Sequence, residues 1–237
     1  MSSEVVAGFS TPSSAREAAW LMGSRVGQTQ GPMTSTDAFA RQFLDETADI
    51  LAAIDAAAID DVARVIREAR DREGRLFLCG SGGGAGHASH AACDFRKLSR
   101  IEAYSVTDNV SELTARINDD GWEHAYADWL RASNLRADDC LFVFSVGGGD
   151  EARGISVNLV RAIELARERG ASIVGIVGRT EGALQRRADT CVRIPTPTPA
   201  HVTPQTEGIQ AVLWHLLVTH PLLAACEPKW EATERGA

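Results

Sequence analysis

Arg75-Leu-Phe-Leu-Cys-Gly80-Ser-Gly-Gly-Gly-Ala-Gly86 decides the fold: an apolar run of strand length passes without a break into a glycine-rich turn. After the turn, Gly86–Leu98 reads as a helix, so the stretch is a β-strand, a tight loop and a helix in that order. Outward from it the pattern repeats. Further strands are predicted at Glu102–Val106, Cys140–Ser145, Ser172–Val177 and Cys191–Ile194, with helices at Trp122–Ala132, Glu151–Arg169, Glu181–Ala188 and Pro204–Ala225. Nearly continuous apolar strands suit burial on both faces, and alternation with helices implies right-handed βαβ units. The fold class is α/β: a mostly parallel five-stranded sheet flanked by helices in three layers.

Upstream, Phe39, Phe43, Ile50, Leu51, Ile54, Ile59, Val62 and Ile66 recur at three- and four-residue steps. This predicts a helical preface over 35–72, as one helix or as two joined near Ala58–Asp60. Residues 1–34, rich in Ser, Gly, Thr and Pro, are expected as a loosely ordered arm, and 227–237 as a polar tail around a domain at 35–226.

The bulk properties remove several functions. A net charge of −8 over 237 residues argues against a nucleic-acid or anionic-membrane binder. Five scattered cysteines in apolar surroundings (Cys79, Cys93, Cys140, Cys191, Cys226) fit free thiols in a reducing compartment, and no stretch reads as a signal or membrane-spanning segment. A cytoplasmic protein is expected.

A second glycine loop, Ser145-Val146-Gly147-Gly148-Gly149-Asp150, also follows a strand. Glycines let main-chain N–H groups approach a ligand, and open α/β sheets bind ligands along the carboxyl ends of their strands. The first loop lacks the Gly-Lys-Ser/Thr ending of a nucleotide P-loop and a well-placed acidic residue for dinucleotide binding. Asp150 is an apt N-cap for the helix expected at Glu151–Arg169.

Two residue pairs carry possible chemistry. His90 and Asp94 stand at i, i+4 on the helix after the first loop, on one face. Glu207 and His215 stand eight residues apart on the last helix, about 80° around its axis. Taken alone, each pair equally fits ordinary helix packing.

LFLCGSGGGAGHASHAACDF resembles the first βα unit of sugar-isomerase (SIS) domains, and within them the phosphoheptose isomerases. Asn118-Asp-Asp-Gly-Trp-Glu123, FVFSVGGGD and ASIVGIVG fall in the same family order. The resemblance implies a flavodoxin-like sheet and a homotetramer with sites at subunit interfaces. It implies isomerisation of sedoheptulose 7-phosphate, with zinc or direct acid–base action at four positions, here His90, Asp94, Glu207 and His215. Asp94 and His215 would be the proton-transfer pair.

Two of the four depart from the family, which has Glu where Asp94 stands and Gln where Glu207 stands. Phosphate and sugar contacts are implied for Ser81, Gly82, Gly83, Gly84, Asp108 and Asn109 and, on the second loop, for Ser145, Gly147, Gly148 and Gly149. Gly84 stands where the family usually has serine. These departures keep open a non-catalytic SIS module that senses a sugar phosphate or docks on a protein. An isomerase of another sugar phosphate, such as an eight-carbon one, is a third reading.

Overall fold

The structure, a computed structural model, describes residues 35–227; the arm at 1–34 and the tail from 228 lie outside the described residues. The chain divides into two compact units, residues 1–44 and 45–237. Of the first, the described part is the opening of helix α1 (Ser35–Ala53), where Phe39 and Phe43 pair their rings. All that follows concerns the second unit.

The helical preface is two helices. α2 spans Ala56–Asp71, and the break lies at Ile54–Asp55, earlier than Ala58–Asp60. Asp55 makes it: in an extended conformation it accepts a hydrogen bond from Ala57 N and caps α2. The alternating pattern then yields β1 (Leu76–Gly80), α3 (Gly83–Ser99), β2 (Ala103–Ser105), α4 (Val110–Asp120), α5 (Ala125–Ala132) and β3 (Cys140–Ser145). After these come α6 (Val157–Glu168), β4 (Ser172–Val177), α7 (Ala183–Arg187), β5 (Thr190–Arg193) and α8 (Val202–Thr219).

All strand pairs are parallel, in the order β2-β1-β3-β4-β5. This is the flavodoxin-like arrangement, and its order reverses between β1 and β3. The two glycine loops leave the carboxyl ends of those two strands. They therefore flank the crevice where such a sheet binds ligands.

Side chains alternate across the sheet and build a core on each face. Leu76, Leu78, Phe142, Phe144, Val174 and Ile176 pack beneath α2, α3 and α8. Phe77, Cys79, Leu141, Val143 and Ile173 pack beneath α5 and α6. Full burial of each such aliphatic or aromatic side chain stabilises the fold by about 1.5–3 kcal/mol. At the amino end of the sheet, Asp139 is fully buried and accepts hydrogen bonds from Arg75 N, Nε and Nη2 and from Arg136 N.

Two helices differ from expectation. α4 occupies a stretch for which no helix was read; none of its residues is fully buried, and only the partly buried Leu113 and Ile117 pack against the core. Asn109 starts it by accepting from Ser111 N and Glu112 N. α6 begins at Val157, and Asp150 is not its cap. Asp150 instead exchanges two main-chain hydrogen bonds with Ile155 and holds Arg153 through N–H and guanidinium contacts.

Candidate active site

The turn after β1 works because of two glycines. Gly82 has φ 59° and ψ −123°, a conformation closed to most side chains. Gly84 lies against β3, so that a Cβ there would meet the Phe144 carbonyl oxygen at 2.7 Å. α3 can therefore start at Gly83, directly over the sheet edge, and carry His87, His90 and Asp94 along one face.

α8 packs beside α3 and meets that face. The His90 ring lies 4.7 Å from Trp214 and 5.6 Å, edge-on, from His215, measured between centroids. His90 Nε2 is 3.8 Å from Asp94 Oδ2. Ligand atoms of His90, Asp94 and His215 all lie within 4.8 Å of one another, so these three could hold a metal ion. Asp94 is buried while both imidazoles are exposed. His215 Nδ1 is 2.7 Å from the Ala211 carbonyl oxygen. A carbonyl only accepts, so Nδ1 carries a proton, and in the neutral ring Nε2 is the nitrogen with the free lone pair.

Glu207 stands apart from the trio. Its carboxylate lies over the first turn of α3, where a Cβ on Gly83 would come 2.5 Å from Oε2. His87, absent from the residues singled out in the sequence, lies between Glu207 and the two other histidines of the site, all three of which act on its charge. Burial pushes its pKa below the ordinary value, opposed by a hydrogen bond to the Glu207 main chain and by the Glu207 charge. Its i, i+3 spacing from His90 was the available signal.

Beside Glu207 opens a cavity of about 1100 Å³ along the carboxyl ends of β1, β3, β4 and β5. Ser81 and Gly84 reach it from the first loop, and Ser145, Gly147 and Gly149 from the second. Gly82 and Gly83 lie at the turn outside its wall, and Gly148 packs on Gln185 and Gly182. Asp108 holds Ser89 Oγ in a separate groove beside Arg96 and Tyr104, and the Asn109 side chain is spent on capping α4.

Residues absent from the sequence-based list hold the first loop in place or line the cavity. Asn158, fully buried on α6, donates from Nδ2 to Ser81 Oγ at 3.2 Å. Tyr126 donates its hydroxyl to Gly80 O at 2.7 Å, and burial pushes its phenol up to about 12. Arg153, Arg179, Arg186 and Arg193 line the far side.

The family model for the SIS domain matches residues 42–178. The chain belongs to the SIS domain family. Within it, this SIS domain is 32% identical to a phosphoheptose isomerase of Rhodospirillum rubrum, over 68% of this chain and 83% of that one. It is also 32% identical to the lincomycin biosynthesis protein LmbN of Streptomyces lincolnensis, over 79% of this chain and 68% of the relative. A solved phosphoheptose isomerase from Neisseria gonorrhoeae superposes with a TM-score of 0.68 at 25% identity, covering 78% of this chain and 97% of that one. The membership accounts for the sheet order and for two loops at the switch point. Among the described residues, no helix is long and apolar enough to cross a membrane.

Proposed function

We propose that this SIS-domain protein is an aldose–ketose isomerase of a sugar phosphate, with sedoheptulose 7-phosphate as the substrate. The observation that carries the reading is the convergence of His90, Asp94 and His215 between α3 and α8, the two helices whose Gly84 and Glu207 line the cavity between the glycine loops. The relatives named phosphoheptose isomerase support the same chemistry.

Conversion of ketose to aldose moves a proton from C1 to C2 through a cis-enediol, and a second proton between the two oxygens. His215, with Nε2 free as a base, moves the carbon proton. Asp94, reaching the same point from α3, exchanges the proton on oxygen. Being one methylene shorter than Glu, it depends on the start of α3 at Gly83 to bring it forward.

Alternatively, the trio fits a zinc ion, with His215 Nε2 then a ligand in place of the base. Two imidazole nitrogens and one carboxylate form a suitable donor set, and Asp94 Oδ2 is buried with no hydrogen-bond partner among the described residues. Residue Nδ1 of His215 donates to a main-chain carbonyl, as metal-bound imidazoles commonly do. When bound there, zinc supplies Lewis acidity to the carbonyl and hydroxyl oxygens of the sugar. Assembly as a homotetramer fits exposed Val212 and Leu216, which flank His215 on α8.

A second reading changes the substrate alone. The substrate would then be another sugar phosphate, such as an eight-carbon one, in keeping with a similar protein that is named for lincomycin biosynthesis and not as a phosphoheptose isomerase. His215→Ala tests what both readings share. Turnover is expected to vanish while helical content and oligomer size stay unchanged; full residual activity would remove His215 from the chemistry.

A further inference from the structure

Four arginines line the cavity, and two of their guanidinium groups are uncommitted. Arg153 is held by Asp150, and Arg186 donates to the Glu181 carbonyl oxygen. The side chains of Arg179 and Arg193 have neither a carboxylate nor a carbonyl partner among the described residues, although both line the cavity. In a chain of net charge −8, most other cavity and helix arginines are paired with acids, for example Arg161 with Glu151 and Glu164.

The fold brings these two to neighbouring strand ends. β4 ends at Val177, which is in register with Arg193 of β5, and Arg179 lies two residues beyond Val177. The backbone there is fixed: Gly178 N and Arg179 N both donate to Val146 O at 3.0 Å, tying Arg179 to the second glycine loop. Arg193 alternates with Val192 and Ile194, which face the α3–α8 core, so its side chain leaves by the other face. Close to it, Thr196 Oγ1 lines the cavity, buried and with no hydrogen-bond partner among the described residues.

The loop beside them is poor in side-chain donors. Val146 and Gly147–Gly149 have none, and the Ser145 hydroxyl, which accepts from Gly148 N, supplies the one O–H donor before Asp150. Asp150 adds a negative charge to the same wall. An anion in this cavity therefore finds its positive charge at β4 and β5, and guanidinium suits a phosphate because it donates two parallel hydrogen bonds.

We propose that Arg179 and Arg193 hold the phosphate group of the sugar substrate and so select phosphorylated over neutral sugars. The proposal rests on the sugar-phosphate reading of this cavity. Held there, the phosphate lies at the β4–β5 end, and the chain of carbons extends back past the glycine loops toward Glu207 and the His90–Asp94–His215 trio.

The test uses the full chain with Arg179→Ala, Arg193→Ala, the double variant and Arg179→Lys. Two readouts run in parallel: KM and kcat for sedoheptulose 7-phosphate, and the rise in Tm caused by inorganic phosphate alone. Each Ala variant should raise KM about tenfold or more, the size of one lost charge-assisted hydrogen-bond set, with the loss falling on KM more than on kcat. Arg179→Lys should recover part of it. The double variant should lose the phosphate-induced rise in Tm while keeping its own phosphate-free Tm, since neither side chain supports a fold contact. Unchanged KM and an unchanged phosphate response in the double variant would overturn the assignment and leave the isomerase reading intact. No turnover by the parent protein, with a phosphate response that the double variant abolishes, would sink the isomerase reading and keep the arginine subsite. A parent protein whose Tm does not respond to phosphate at all would overturn the arginine assignment.

Discussion

Nε2 of His90 lies 3.8 Å from Oδ2 of Asp94, and that oxygen is buried without a hydrogen-bond donor among the described residues. Helix spacing alone sets the pair on one face, but the orphaned oxygen gives it direction: it is a site that gains from a cation. Asp94→Asn keeps the shape and removes the charge. The variant should bind zinc at least about tenfold more weakly than the parent protein. In metal-free buffer it should be more stable, by about 1 kcal/mol, because an uncompensated buried carboxylate is gone. Zinc titration followed by calorimetry, together with Tm in chelator, checks both; equal zinc affinity would exclude Asp94 as a ligand.

Gly84 occupies the place where the resemblance leads one to expect serine. A Cβ there would meet the Phe144 carbonyl at 2.7 Å, and main chain cannot step aside as a side chain can. Gly84→Ser should therefore destabilise the protein by about 1–3 kcal/mol through overpacking, and should not tighten substrate binding. Chemical denaturation and KM measured on the same preparation decide it. A stable variant with a lower KM would show that the turn can open to admit a hydroxyl.

Glu46 on α1 anchors the segment before α8: its carboxylate lies 2.5 Å from His201 Nδ1 and accepts from Thr198 N. These hydrogen bonds, the one with His201 foremost, hold its pKa below the ordinary 4.5. A carboxylate lowered in the folded state adds stability above its unfolded pKa and loses it as pH falls through the folded value. Glu46→Gln should accordingly lower Tm at pH 7. The gap to the parent protein should narrow only as pH drops below about 4.5, which Tm scans from pH 7 to pH 3.5 would follow. A gap that stays constant across that range would show that charge at Glu46 contributes nothing.

The sheet was legible because its strands declare themselves. β3 and β4 match the bounds read from CLFVFS and SIVGIV, since strands buried on both faces are continuous apolar runs. α4 was not, because its apolar side is short: Leu113 and Ile117 pack on the core only partly buried, among polar neighbours. The start of α6 was misplaced because Asp150 resembles a cap but closes a turn with Ile155 instead. In the site, His90 and Asp94 followed from helical spacing, whereas their meeting with His215 rested on family resemblance. Asn158, Tyr126 and the paired strand ends at Arg179 and Arg193 carry no local signal at all. Only the packing of elements distant in sequence brings the two arginines to one cavity, and Asn158 and Tyr126 to the first loop.

The central claim is that this SIS domain isomerises a ketose phosphate at the His90–Asp94–His215 centre. The most direct measurement incubates the zinc-supplemented protein with sedoheptulose 7-phosphate and a panel of other ketose phosphates and follows aldose formation. The account predicts aldose from the seven-carbon substrate, and none from it with His215→Ala. Absence of aldose from every ketose phosphate in the metal-replete, folded protein would contradict it.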